Sequence, residues 1–82
     1  MTDTALLREK IQKSGYKIKF IAETVGLSYF GFLRKMQNDS DFRTGEVDSL
    51  CRLLHIDSLE EKERIFFAQK DDLKSSSKEE TA

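Results

Sequence analysis

The sequence predicts an all-α protein of five helices in a single domain. Apolar residues recur every three or four positions along most of the chain, which is the period of helices with one buried face. The chain contains no proline, and polar or glycine-containing segments separate the periodic stretches. With 82 residues, of which 38% are hydrophobic and 35% charged, it has room for one small core.

The first helix is expected to end near Ser14, because the next residue, Gly15, suits the left-handed conformation that often follows a helix. Three polar residues that can cap its start stand just before it: Thr2, Asp3 and Thr4. Its apolar stripe consists of Leu6, Leu7 and Ile11. This pattern predicts a helix with one buried face.

Residues 18–36 predict two short helices joined by a turn. Ala22 is small where two helices must pack closely, and Gly26 stands where the earlier helix must stop and turn. Ser28 is expected to cap the later helix. Two residues four positions apart are then expected to face the core from that helix: Phe32 and Met36. Because each residue type has a separate steric task, this spacing is fairly specific.

The fourth helix is expected to begin at Thr44, which we predict to be its N-cap. Acidic residues in the first turn would interact favourably with the positive end of the helix dipole. The buried stripe of this helix is predicted to contain Val47, Leu50, Cys51 and Leu54.

A capping box formed by Ser58 and Glu61 predicts the start of the fifth helix, which is expected to extend to about Gln69. Phe66 and Phe67 are adjacent, and neighbouring helical residues point about 100° apart. Only one of the two rings is therefore expected to complete the core, together with Ile65.

The composition changes near residue 70. Residues 70–82 contain one apolar residue that could bury surface, Leu73, among serine and charged residues. Such a segment cannot offset the entropy lost on ordering. We therefore predict a folded domain over residues 1–69 and a disordered polar tail over residues 70–82.

Charge is distributed unevenly along the chain, although the net charge is only −1. Residues 1–37 carry seven basic and three acidic residues, whereas residues 38–82 carry seven basic and twelve acidic residues. A local positive patch attracts a polyanion even when the total charge is near zero. The positive half is the half that contains the two-helix unit.

Residues 18–36 resemble the DNA-binding unit of the Xre/Cro/repressor family of phage and bacterial helix-turn-helix regulators. Residues 4–68 together resemble the compact five-helix domain of that family. The resemblance implies a cytoplasmic protein that binds double-stranded DNA at an operator, often as a homodimer on half-sites one helical turn apart. It also implies a Cro-like repressor that acts by occupying the operator.

Two adjacent positions depart from the family pattern. Family members usually cap the second helix with serine or threonine and follow it with a glutamine that touches the DNA backbone. This chain has Lys17 and Ile18 there. The missing cap is expected to cost about 1 kcal/mol, and nearby lysines would replace the glutamine contact.

The outward side chains of the third helix are expected to enter the major groove, where residues near the helix start reach base edges. Arginine suits a bidentate contact with guanine, and apolar side chains suit thymine methyl groups. The predicted base contacts are Ser28, Tyr29, Phe30, Leu33 and Arg34. The predicted phosphate contacts are Lys17, Lys19, Lys35 and Asn38. Gly31 lies in this helix at a position where a larger side chain is expected to clash with either the second helix or DNA.

The same surface supports a second interpretation. Tyr29, Phe30 and Leu33 form an outward face that is unusually apolar for a groove-reading helix, and apolar surface of this kind also marks protein-binding sites. The alternative is therefore a protein-binding module on the same scaffold, such as an anti-repressor, an inhibitor of a host factor or an antitoxin.

A further apolar group predicts a dimer interface, with Phe66, Phe67 and Leu73 as its members. The alternative is that the core absorbs both phenylalanines.

No catalytic constellation, metal site, cofactor or small-molecule ligand is expected. His55 is the only histidine, and at a helix end it is expected to complement the dipole. Cys51 permits no internal disulfide and is expected to lie in the core. Because no catalytic constellation is found, we expect a protein without enzymatic activity. No apolar run reaches the roughly 18 residues of a membrane span, and no secretory signal is visible, so we expect a cytoplasmic protein.

Overall fold

The computed structural model describes residues 1–68, which form five α-helices and no strand. In chain order these helices are α1 Thr4–Ser14, α2 Ile18–Val25, α3 Tyr29–Met36, α4 Thr44–Leu53 and α5 Leu59–Phe66. The predicted all-α class with five helices is therefore confirmed. The predicted tail over residues 70–82, including Leu73, lies outside the described residues.

Local capping explains where α1 begins and ends, where α2 ends and where α3 begins. The side chain of Asp3 accepts a hydrogen bond from the Leu6 amide at 3.2 Å, and Gly15 ends α1 with φ of 79°. Gly26 ends α2 with φ of 90°, and the Ser28 hydroxyl accepts from the Gly31 amide at 3.0 Å to start α3. These predicted roles of Gly15, Gly26 and Ser28 are confirmed.

The prediction that Thr44 caps α4 is wrong. Thr44 is the first residue of the helix, and Arg43 occupies the N-cap position. The carboxylate of Glu46 instead reaches back and accepts from the Arg43 amide at 2.9 Å. A glutamate three residues into the helix thus binds the backbone amide at the start of α4, and no capping hydroxyl is needed.

The fifth helix begins as predicted but ends earlier. The Ser58 hydroxyl accepts from the Glu61 amide at 3.0 Å, while α5 stops at Phe66 instead of continuing to about Gln69. The Ala68 amide donates to the Met1 carbonyl at 2.9 Å. This bond to the N-terminal segment replaces a continuing helical bond.

The core takes at least one large side chain from every helix. The largest fully buried ones are Phe32, Leu7, Ile21, Met36, Leu50 and Ile65. Phe42, between α3 and α4, packs its ring 5.7 Å from that of Phe32 and 5.8 Å from that of Phe66. The aromatic contacts therefore tie α3 to α5 through the connecting segment.

Only one of the adjacent phenylalanines is in the core, as expected. Phe66 is 5% exposed and Phe67 is 56% exposed. The assignment of Phe66 to a dimer interface is therefore wrong, because its ring is enclosed by its own protomer and packs against Phe42. Phe67 keeps an exposed ring at the end of α5.

Within residues 1–68, no helix combines the length and the apolar character that crossing a membrane requires.

Candidate nucleic-acid interface

A tight turn sets the direction of α3 relative to α2. After Gly26 in its left-handed conformation, the Leu27 amide donates to the Ala22 carbonyl at 2.8 Å. Ala22 itself has no exposed surface, which is consistent with close packing at this point. Phe32 is also fully buried, so the opposite edge of α3 must face outward.

Two exposed aromatic rings stand at the start of α3. Phe30 is 74% exposed, the largest value among the exposed large hydrophobic residues of the described chain, and Tyr29 is 44% exposed. The two ring centroids lie 5.4 Å apart with planes at 79°, an edge-to-face contact. Arg34 is exposed on the same helix, whereas Leu33 is half-buried. Four of the five predicted base-contact residues thus lie at least partly open to solvent on α3.

The fifth, Ser28, is exposed at the start of α3, where its hydroxyl oxygen is engaged by the Gly31 amide. The hydroxyl proton remains free to donate. A Cβ added at Gly31 would lie 3.0 Å from the Ser28 Oγ. The closest neighbour of added bulk at Gly31 is therefore the capping hydroxyl of Ser28, whereas the sequence pointed to the second helix or to DNA.

Two predicted phosphate contacts remain available at the start of α2. Lys17 and Lys19 are exposed, and within residues 1–68 neither makes an ion pair. Lys17 is the N-cap residue and makes no capping hydrogen bond. The first amides of α2 are thus left to water or an anion, at the positive end of the helix dipole.

Lys35 was predicted to contact phosphate, but in the structure its ammonium group is engaged within the protein. Its Nζ lies 2.7 Å from the Glu46 Oε1, and each of these side chains is only 14% exposed. Burial tends to raise the pKa of the Glu46 carboxyl, but hydrogen bonds from Lys35 and the Arg43 amide outweigh it, so that the pKa lies below its ordinary value. The ammonium group of Lys35 therefore joins α3 to α4 inside the protein.

Asn38 is removed from the predicted phosphate contacts as well, because the oxygen and the nitrogen of its side chain each bond a backbone group. Its Oδ1 accepts from the Thr2 amide at 2.8 Å, and its Nδ2 donates to the Thr2 carbonyl at 2.9 Å. Asn38 adopts a left-handed conformation with φ of 67°, which asparagine tolerates better than most residues. Its role is to fasten the N-terminal segment to the end of α3.

The structure adds a second aromatic pair that sequence analysis missed. The rings of Tyr16 and Phe20 lie 5.1 Å apart and are 40% and 47% exposed. A signal was present, since the two residues are four positions apart and Phe20 falls outside the inward stripe of α2 that contains Ile21 and Ala22. This pair borders the exposed lysines at the start of α2.

The described residues contain other chemically reactive groups besides those of α2 and α3. Cys51 is half-buried on α4, and burial raises the pKa of its thiol, which makes it a poor nucleophile at neutral pH. No group of three His, Cys, Asp or Glu side chains within residues 1–68 is placed to hold a metal ion. The exposed edge of α3 and the start of α2 are thus the best-defined candidate site.

Comparisons of this chain with protein-family models, with curated proteins and with solved structures find no match.

Proposed function

We propose that this protein is a helix-turn-helix DNA-binding regulator of the Xre/Cro type, with α3 as the recognition helix. The observation that carries the proposal is the division of α3 into two edges. Phe32 and Met36 are completely buried, while Phe30 and Arg34 face solvent on the other side. A helix presented in this way fits the width of the major groove of B-DNA.

Exposed positive charge at the start of α2 and on α3 supports a polyanionic ligand. Arg34, Lys17 and Lys19 are exposed and make no ion pair within residues 1–68. The uncapped start of α2 adds backbone amides, which bind phosphate oxygens well at a helix N-terminus. In the proposed complex α2 positions the protein on the DNA backbone, and α3 reads the bases.

The regulator would act as a Cro-like repressor in the cytoplasm, by occupying an operator at a promoter. A homodimer fits this function, because two recognition helices on adjacent half-sites double the contacted sequence. We assign the dimer contact to the exposed face of α5, where Leu59 is 68% and Phe67 56% exposed. These two side chains line a groove of about 500 Å³ that also contains Val47.

One observation favours a different function. An aromatic ring as exposed as that of Phe30 is also typical of a protein-binding surface. In this second candidate the outward edge of α3 binds a partner protein through Tyr29, Phe30 and Leu33. The exposed cations at the start of α2 and on α3 favour DNA over this candidate.

Salt dependence tests the proposal directly. Affinity for duplex DNA, measured by fluorescence anisotropy from about 50 to 200 mM salt, should fall steeply, with a slope of roughly −0.9 per phosphate contacted. Lys19→Ala should weaken binding to every duplex and make this slope shallower by about 1. Arg34→Ala should relax the preference for one sequence.

Lys35→Ala provides the matched control, because it removes a lysine from the same two-helix unit. Since its ammonium group contacts Glu46, this variant should lose folding stability but keep the salt slope of the parent. Absence of binding to any duplex at low salt would exclude DNA as the ligand. Binding to duplex DNA that is independent of salt would contradict the proposed phosphate contacts.

A further inference from the structure

The exposed edge of α3 is poor in groups that read bases by hydrogen bonding. Among residues 29–36, Arg34 is the only exposed side chain with paired donors, and Lys35 is held by Glu46. The helix contains no Asn, Gln, Asp or Glu, the residues that pair with adenine or cytosine edges. Apart from Arg34 and the hydroxyl groups of Ser28 and Tyr29, the exposed edge therefore offers apolar surface to a base.

In the major groove one base presents an apolar group, the 5-methyl of thymine. Resting on the proposed function, we propose that Phe30 is a thymine reader whose ring packs against this methyl group. The operator half-site should then contain a thymine close to the guanine that Arg34 binds.

The helix geometry sets the spacing between the two bases. Phe30 and Arg34 are four residues apart, so they lie on one side of α3 and are separated by roughly 6 Å along its axis. Successive base pairs are separated by about 3.4 Å. The thymine methyl should therefore lie one or two base pairs from the guanine.

Tyr29 prepares the Phe30 ring for this contact. Its edge-to-face contact at 5.4 Å restricts where the Phe30 ring can point. A side chain restricted before binding loses less conformational freedom when it meets its ligand. An exposed phenylalanine held in this way can discriminate the presence of one methyl group.

The experiment uses the full chain and a duplex selected by it from a random pool. A second duplex carries uracil in place of the thymines of the half-site, which removes the 5-methyl groups and leaves the base-pairing edges intact. The wild-type protein should bind the uracil duplex about fourfold more weakly for each contacted methyl. Phe30→Ala should bind the two duplexes with equal affinity.

Lys19→Ala is the matched control, because a lost phosphate contact should weaken both duplexes by the same factor and preserve the ratio between them. The wild-type comparison needs no variant, so it stays decisive if Phe30→Ala folds poorly. Equal wild-type affinity for both duplexes, or a half-site without thymine near guanine, would overturn the thymine assignment. If the thymine assignment fails but binding to duplex DNA still weakens with salt, the proposed DNA binding stands. Failure to retain any duplex would overturn the proposed function itself.

Discussion

Asn38 and Thr2 are joined by two hydrogen bonds between the side-chain amide of one and the backbone of the other, across 36 residues of sequence. Nearby, the Thr4 Oγ1 donates to the Met36 carbonyl at 2.5 Å, and the Asp3 amide donates to the Ile65 carbonyl at 2.7 Å. The N-terminal segment thus connects the end of α3 with α5. It holds the helix that carries the candidate interface.

Asn38→Ala should destabilise the protein by about 2 kcal/mol, because the backbone of Thr2 loses both partners and alanine is strained at positive φ. Asn38→Gly removes the same hydrogen bonds without the strain and should therefore lose less. Urea denaturation followed by circular dichroism measures both values. Asp39→Ala, at the exposed neighbouring position, is the control. A free energy of unfolding equal to wild type in Asn38→Ala would show that the two bonds contribute nothing.

The pair of Lys35 and Glu46 predicts a loss of stability in acid. Because the pKa of folded Glu46 lies below its ordinary value of about 4.5, its contribution is present above that value and is lost as pH falls through the folded pKa. Urea midpoints measured between about pH 6 and pH 2.5 should decline for wild type. Glu46→Gln should start lower at neutral pH and decline less.

The control for this series is Glu63→Gln, which removes an exposed carboxylate without an ion pair in the described residues. It should decline more nearly in parallel with wild type. If Glu46→Gln and wild type followed parallel curves, the carboxylate would not be the group whose protonation destabilises the fold.

Gly31 and Ser28 should show energetic coupling. Replacing a glycine inside a helix with alanine ordinarily gains up to about 1 kcal/mol. Here the added Cβ would meet the Ser28 Oγ at 3.0 Å and disturb a cap worth about 1 kcal/mol. Gly31→Ala should therefore gain little in the wild-type background and more in Ser28→Ala. A double-mutant cycle by urea denaturation measures this difference, and equal gains in both backgrounds would contradict it.

Substitutions at Phe66 and Phe67 should affect different properties, stability at Phe66 and dimerisation at Phe67. Phe66→Ala empties a core position and should cost about 3 kcal/mol of unfolding free energy. Phe67→Ser changes an exposed ring and should alter monomer stability by less than about 0.5 kcal/mol. Because Phe67 belongs to the proposed dimer contact, its variant should sediment as a monomer where wild type is a dimer. A dimer of undiminished affinity in Phe67→Ser would remove α5 from that contact.

The sequence by itself determined the elements whose causes are local. Gly15 and Gly26 end helices through their own backbone conformation, and Ser28 caps α3 through an amide three residues away. The inward positions of Phe32 and Met36 follow from helical periodicity. Each of these features depends on neighbours within about one turn, so a linear reading was sufficient to predict them.

Tertiary structure decided which polar side chains remain free. Lys35 and Asn38 were predicted as phosphate contacts from their place beside α3, but their partners, Glu46 and Thr2, are 11 and 36 residues away in sequence. Such partners become neighbours only when the helices pack. Burial then makes an unpaired ammonium or amide costly, so these groups bond within the protein while Lys17 and Lys19 stay exposed.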